Sequence, residues 1–285
     1  DVFSRVTPHS GKGEVAANPM RNDGSADIFR DASGHPRTLR GVSIYSGSTR
    51  LAEFAAKIGY ETVWIEMEHG PADYQHVEAM CMAIEVGGGL PAVRVPDGQR
   101  HHVLRALEVG ARLVIVPMVN TAQQARQVVE YGKFPPEGAR GFNLRSRGVN
   151  YGLGDRHAVF TDANARTHLF AQIESMEAVQ NLDEICQVKG LSGIFVGPGD
   201  LSASFGTNGN LEGQQLIDIV SDCVRRARAA GRHAGILVTP GRMLDAAINA
   251  GCDLVFCGGD VTELSVAWPR LLATIPASTS RLVKE

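Results

Sequence analysis

From about Thr38 onward, short apolar runs alternate with amphipathic ones, eight of each, and this rhythm restricts the fold more than any single motif. The apolar runs are residues 41–45, 62–65, 92–95, 113–116, 169–173, 193–196, 235–238 and 254–257. They are short and almost wholly apolar, as strands are when helices cover both faces of their sheet. Helical periodicity fills the gaps, over residues 51–58, 74–85, 102–108, 122–131, 177–188, 214–230, 241–250 and 262–272. Gly59, Gly87, Gly110, Gly132, Gly190, Gly231 and Gly251 follow several of these, where a helix end favours a residue that tolerates positive φ. Eight βα repeats predict an α/β fold of the (β/α)8 TIM-barrel type. The main rival, an open doubly wound sheet, calls for a glycine-rich phosphate turn after its first strand, and none is present. A chain of 285 residues accommodates such a barrel, typically ~250 residues long. Residues 1–38, rich in Gly, Pro, Ser, Asn and Asp and without periodicity, read as an extended arm, and residues 39–285 as the catalytic domain.

Composition narrows the function classes. Hydrophobic residues at 44% and charged residues at 21% suit a soluble protein with a large core. A net charge of -3 offers no basic surface for nucleic acid. No apolar run is long enough for a membrane span. The first residues lack the apolar stretch of a signal peptide, and the absence of an initial Met reads as processing or trimming. The five cysteines show neither CxxC nor Cys/His zinc spacing and read as reduced core residues, which points to the cytoplasm. One connection is anomalous. Residues 134–168 show no clear strand and carry Arg140, Arg145, Arg147, Tyr151 and Arg156. A loop of that length in a compact domain is usually functional or disordered, and following the fourth strand it should sit over one face of the barrel.

Chemistry in a TIM barrel gathers at the C-terminal ends of the strands. The second strand runs into Glu66, Met67, Glu68 and His69, and alternation places Glu66 and Glu68 on one face with Met67 opposite. Arg94 lies near the end of the third, Gln172 and Glu174 end the fifth, and Pro198, Gly199 and Asp200 follow the sixth. Glu174 and Asp200 suit a hard divalent cation, Mg²⁺ or Mn²⁺, which takes oxygen ligands and keeps room for an oxygen-rich substrate. Arg94 offers a planar cation to a carboxylate or keto oxygen. His69 titrates near neutrality and can move a proton. Gly197 and Gly199 let backbone amides approach an anion. Together these groups fit enolisation of an α-keto acid. Taken singly, each has a plainer reading: N-cap acids at βα turns, a salt-bridge arginine, a structural histidine. Their convergence on one mouth is what favours the chemical reading.

These motifs resemble the HpcH/HpaI aldolases, a family of metal-dependent class II pyruvate aldolases. The matching residues are Ile65–His69, Val93-Arg94, Val116–Val119, Pro135–Gly141, Gln172–Glu174, Val196–Ser202 and Gly235–Leu237, in family order over about residues 39–275. The resemblance implies that Glu174 and Asp200 ligate Mg²⁺ or Mn²⁺, and that Arg94 holds the keto oxygen and stabilises the enolate. Gln172, Pro198, Gly199, Asp200 and Leu237 would bind the 2-keto acid, with the amides around Gly199 and Asp200 on its carboxylate. His69 would be the acid–base, acting through a water and oriented by the acid at Glu108. Family members carry Asp at the positions of Glu66 and Glu108, and the arm here is longer than in simple bacterial members. Those departures leave two enolate reactions open. One is retro-aldol cleavage of a 2-keto-4-hydroxy acid to pyruvate and an aldehyde. The other is oxaloacetate decarboxylation with capture of the enolate, as in the fungal relative macrophomate synthase. A CoA-ester lyase is disfavoured by the lack of a basic cluster for a nucleotide phosphate, and a non-catalytic binding barrel by the full set of site residues. The resemblance also implies a homo-hexamer built from dimers that exchange their last helix. Residues 262–272 carry Leu264, Val266, Ala267, Trp268, Leu271 and Leu272, more apolar surface than one barrel contact needs.

Overall fold

Eight parallel strands pair in sequential order and close on themselves: Leu39–Ile44 (β1), Thr62–Glu66 (β2), Leu90–Arg94 (β3), Leu113–Val116 (β4), His168–Ile173 (β5), Gly193–Val196 (β6), His233–Val238 (β7) and Leu254–Gly259 (β8). The computed structural model describes residues 27–153, 155, 158–206 and 209–275. Leu39 pairs with Leu254 to close the ring, and Glu66 of β2 stands in register with Arg94 of β3. The closed parallel barrel and its surrounding helices are the (β/α)8 fold that the apolar rhythm predicts.

Helices Thr49–Lys57 (α1), Tyr74–Gly87 (α2), Arg100–Glu108 (α3) and Ala122–Gly132 (α4) follow the first four strands. Val159–Arg166 (α5) precedes β5; Met176–Gln180 (α6) and Leu182–Cys186 (α7) follow it. Pro198–Ser204 (α8) and Gln214–Ala229 (α9) follow β6, Arg242–Asn249 (α10) follows β7, and Asp260–Leu272 (α11) follows β8. Caps explain the starts: Ser48, Asp73, Thr121 and Ser175 each accept a backbone N–H from the first turn. Valine, leucine and alanine from helices and strands form one core layer, including Val77, Ile84, Val114, Leu169 and Val220. A second core fills the barrel itself with Trp64, Leu113, Ile115, Phe170, Phe195 and Phe256. Trp64 lies 5.0 Å from Phe195 and 5.2 Å from Phe256 between ring centroids. The foot of this core is closed by Ile28 and Phe29, with Phe29 stacked 3.7 Å from His233. Residues 1–26 of the expected arm lie outside the described residues.

Three local expectations need correction. The helix expected over residues 177–188 is two short ones, broken at Asn181, whose side-chain amide donates to the Asn120 carbonyl (2.9 Å). At the end of α2 it is Gly88, not Gly87, that takes positive φ, and Gly132 is the last helical residue of α4, without positive φ. Residues 134–168 are not a bare loop. They contain a 3₁₀ stretch at Arg147–Gly152, helix α5, and a small core of Phe134, Val149, Val159 and Ala163. Helices α2 and α3 run from mouth to foot, so their C-terminal ends lie at the foot. Arg140 and Asn143 bond Glu108 at the end of α3, and Arg147 bonds Glu85 near the end of α2. The segment is thus anchored at the foot.

Candidate active site

Glu66 organises the mouth. It ends β2, is 1% exposed, and its two carboxylate oxygens are fully used. Oε1 accepts the backbone N–H groups of Glu68 (2.6 Å) and His69 (3.0 Å). Oε2 accepts Trp64 Nε1 (3.0 Å) and Arg94 Nε (2.8 Å), with Arg94 Nη2 at 2.7 Å. A carboxylate so loaded is a positioning group: it curls the chain at the end of β2 and aims Arg94.

Arg94 ends β3 with its side chain 7% exposed, and its guanidinium lies 5.3 Å from the Trp64 ring centre. Nη1 stands 3.1 Å from Glu68 Oε2, an ion pair without hydrogen-bond alignment, so that oxygen keeps its accepting capacity. Burial works to lower the Arg94 pKa, but Glu66, Tyr45 and Glu68 outweigh it and the net shift is upward. Burial pushes Glu68 up, and the Arg94 charge opposes it. Met67 turns the other way into the outer core, as alternation requires.

Glu174 follows β5 and is buried. Its Oε1 accepts the Met118 N–H (2.6 Å), and Gln172 Nε2 donates to its Oε2. Met118 adopts φ of +54° to make that contact, a conformation unusual for a non-glycine residue and one that clusters at functional sites. Burial, then the nearby Asp200 and Glu68 charges, push Glu174 up to about 7, with the Met118 bond and Arg94 opposing. Asp200, exposed in the first turn of α8, therefore acts on the same space. Gly197 is required between them: a Cβ there would stand 2.9 Å from both Gln172 Nε2 and Glu174 Oε2. Gly199 opens on empty space, Pro198 begins α8 and is buried, and Leu237 packs against the interior core.

His69 is 62% exposed at the rim, with Nε2 3.9 Å from Glu68 Oε2. Glu108 is not brought to it within the chain. As the last residue of α3 it lies at the foot, taken by Arg140 Nη2 (3.0 Å) and Asn143 Nδ2 (2.6 Å). The acid beside His69 here is Glu68. Tyr45, just past β1, is a mouth residue that the motif reading passed over. Burial raises its phenol pKa, with Arg94, Glu66, Glu68 and Asp200 as its charged neighbours. Its signal was its place as the last residue of the first apolar run, at the strand end where the other site residues gather. A cavity of about 630 Å³ opens beside the mouth, lined by Glu68, Asp97, Arg100, His101, Met118 and Gln124 among others.

Among the described residues no cluster of three or more His, Cys, Asp or Glu forms a metal cage. Two carboxylates with an open side remain, a donor set that suits a hard divalent ion shared with substrate and water. Two features fit such an ion: a Gln172 Oε1 that is buried without a hydrogen-bond partner among the described residues, and a buried Glu174 whose carboxyl is pushed up to about 7 with the Asp200 and Glu68 charges nearby.

The mouth thus gathers carboxylates and a guanidinium at the strand ends of a (β/α)8 barrel, and comparison with known proteins gives the family. The sequence pattern of the HpcH/HpaI aldolase/citrate lyase family matches residues 42–267, and the chain belongs to that family. It is 34% identical to a 2-keto-3-deoxy-L-rhamnonate aldolase of Klebsiella pneumoniae over 245 residues, covering 86% of this chain and 91% of the relative. The same enzyme of Salmonella gallinarum is 35% identical over 246 residues, with the same coverage. Among solved structures, an HpcH/HpaI aldolase/citrate lyase family protein from Burkholderia cenocepacia superposes with a TM-score of 0.77 at 30% identity, covering 84% of this chain and 94% of that one. Macrophomate synthase superposes with a TM-score of 0.72 at 26% identity, covering 83% of each chain. The class is that of carbon–carbon lyases.

Proposed function

We propose that the mouth cleaves 2-keto-4-hydroxy acids by retro-aldol reaction to pyruvate and an aldehyde. The observation that carries this reading is the Glu66–Arg94–Glu68 arrangement, a guanidinium held rigidly at the strand ends opposite Glu174 and Asp200. Glu174 and Asp200 would hold a divalent cation, Mg²⁺ or Mn²⁺, which supplies positive charge where the enolate develops. Arg94 meets the keto oxygen as it gains charge, and Glu66 keeps the guanidinium from relaxing away. His69 takes the proton of the 4-hydroxyl, directly or through a water, with Glu68 as the nearby acid. The C3–C4 bond then breaks, the aldehyde leaves, and the electron pair passes to the enolate, which gains a proton at C3 to become pyruvate. Gln172, the Pro198-Gly199-Asp200 turn and Leu237 would bound the keto-acid end. The cavity lined by Asp97, Arg100 and His101 would take the polar tail that leaves as aldehyde. The curated relatives named above act, by name, on a 2-keto-3-deoxy sugar acid, which makes that substrate class the first to assay.

Likeness to macrophomate synthase supports a second reading, oxaloacetate decarboxylation with use of the same enolate for C–C bond formation. Pyruvate release from a panel of 4-hydroxy-2-keto acids and from oxaloacetate separates the two. A failure to exchange the methyl protons of pyruvate in a metal-dependent way would sink both and leave a non-catalytic binding barrel.

The same reading extends to assembly. None of the residues of α11 is buried, and Val261, Trp268, Leu271 and Leu272 are 54%, 63%, 62% and 69% exposed. Such a face suits cover by a second copy, in helix-exchanged dimers that group into a hexamer. Sedimentation should give a species well above 30.5 kDa, and a clean monomer would refute the assembly. No helix among the described residues is long and apolar enough to cross a membrane. The free cysteines, four of them buried, support a cytoplasmic setting.

A further inference from the structure

At the opposite end of the barrel lies a second cavity, of about 170 Å³. Gly110, Ala111 and Arg112 lead from it into β4, and Arg166 and Thr167 lead from it into β5, so it belongs to the foot. Among the described residues its charged lining is four arginines, Arg112, Arg140, Arg147 and Arg166, against one glutamate, Glu85. Arg147 bonds Glu85, and Arg140 bonds Glu108, which does not line the cavity. Arg112 and Arg166 bond only backbone carbonyls, of Arg166 and Asp162 respectively, among their described hydrogen bonds. Positive charge therefore exceeds negative charge in a partly enclosed space.

Two further observations separate this from a surface ion-pair network. Among the described residues, Arg140, 3% exposed, and Arg147 each have a buried Nε with no hydrogen-bond partner. Buried guanidinium donors are costly to leave unpaired, and proteins rarely leave two in one place unless something else fills the need. The wall that carries Arg147 is also strained. Asn150 and Tyr151, both lining residues, adopt φ of +50° and +54° in succession. Close packing holds this wall in place: a Cβ on Gly148 would stand 2.0 Å from the Leu107 carbonyl oxygen, and one on Gly110 would stand 2.8 Å from Arg147. Burial, then the Arg166 charge, lower the Arg112 pKa with Glu85 opposing, and burial lowers that of Arg140 with Glu108 opposing.

We propose that this cavity binds a small, multiply charged oxyanion of the phosphate class, at a site separate from the catalytic mouth. Guanidinium groups bind phosphate through paired, directed N–H donors, and four of them around one space suit three or more acceptor oxygens. The inference is independent of which reaction the mouth performs.

The test uses the full chain, stripped of metal with chelator so that the mouth offers no cation. Inorganic phosphate is titrated in and followed by calorimetry and phosphorus NMR. Saturable binding of one anion per chain is expected. Arg147→Gln and Arg166→Gln should each weaken it by about tenfold or more, while Glu174→Ala leaves it unchanged. Arg166 is half-buried at the last position of α5 and bonds only the Asp162 carbonyl among its described hydrogen bonds, so its replacement keeps the fold testable if Arg147→Gln does not fold. Tighter binding of glycerol phosphate than of free phosphate would assign the site to a phosphorylated metabolite, and equal binding to phosphate itself; both support the proposal. Absence of saturation below about 10 mM phosphate, affinity unchanged from the parent in both arginine variants, or preference for citrate over phosphate would overturn it.

Discussion

The two ends of the barrel hold opposite charge balances. At the mouth, Glu66, Glu68, Glu174 and Asp200 surround a single Arg94. At the foot, four arginines line a cavity with Glu85. The mouth is short of positive charge and fits a divalent cation; the foot is short of negative charge and fits an anion. Both imbalances sit in partly buried space, where an unmatched charge costs most. The difference shows what an ion pair alone does not tell. Arg94, hydrogen-bonded through Nε and ion-paired through both terminal nitrogens, is positioned for use, whereas Arg140 and Arg147 each keep a buried donor without a partner among the described residues.

The largest effect should come from the cation side of the mouth. Glu174→Ala or Asp200→Ala should abolish divalent-metal binding and lower turnover on the order of a thousandfold or more, with the circular dichroism spectrum unchanged. Full turnover after exhaustive chelation would mean that the mouth's excess of carboxylates serves something other than a metal. Next comes the single arginine. Arg94→Lys keeps the charge but cannot bridge Glu66 and Glu68 while facing a keto oxygen, so kcat should fall about a hundredfold. Near-normal turnover would make Arg94 a structural strut like the ion pairs elsewhere in the fold.

His69 separates the two reactions. Cleavage of a 4-hydroxy acid needs a base, whereas loss of CO₂ from oxaloacetate does not need one to make the enolate. His69→Ala should slow cleavage by ~10²-fold and leave much of any decarboxylation. Glu68→Gln should shift the pH profile of cleavage if Glu68 is the acid that serves His69. If Glu108→Gln shifts it instead, the carboxylate at the foot must reach a mouth across a subunit boundary.

The eight strands were legible in the sequence because each is a brief apolar run and every one is covered on both faces. The mouth carboxylates were legible for the converse reason, as polar residues at the exits of those runs. What was missed depends on contacts distant in sequence. Helix α5 is held by Asn164, whose side chain bonds both backbone groups of Phe134, and by Lys133, which reaches the Asn164 and Thr167 carbonyls. No periodicity records such bonds. Helix α8 hid in Gly197-Pro198-Gly199, which reads as a turn, although proline at the first helical position is a favoured start. Glu108 was assigned by resemblance alone, and its pairing with Arg140 and Asn143 could not be read from residues more than thirty positions away.

The smallest predicted effect tests the charge balance of the foot through stability. His168 begins β5 and is 8% exposed, beneath the edge of Phe29 at 5.8 Å, with Nε2 unpaired. Burial, then Arg112, Lys133 and His233, lower its pKa from 6.5 to about 3. The folded chain therefore keeps His168 neutral where the unfolded chain protonates it. Between pH 6.5 and about 3 the unfolded state binds the extra proton, so stability is full above that window and declines as pH falls through it. The slope from this one group approaches ~1.4 kcal/mol per pH unit. His168→Gln removes the titration, so urea unfolding of the variant should show a shallower loss of stability in acid than the parent. Parallel curves for the two would mean that the imidazole is hydrated or paired, and that the foot tolerates another positive charge. That result would weaken the case that its arginines await an anion.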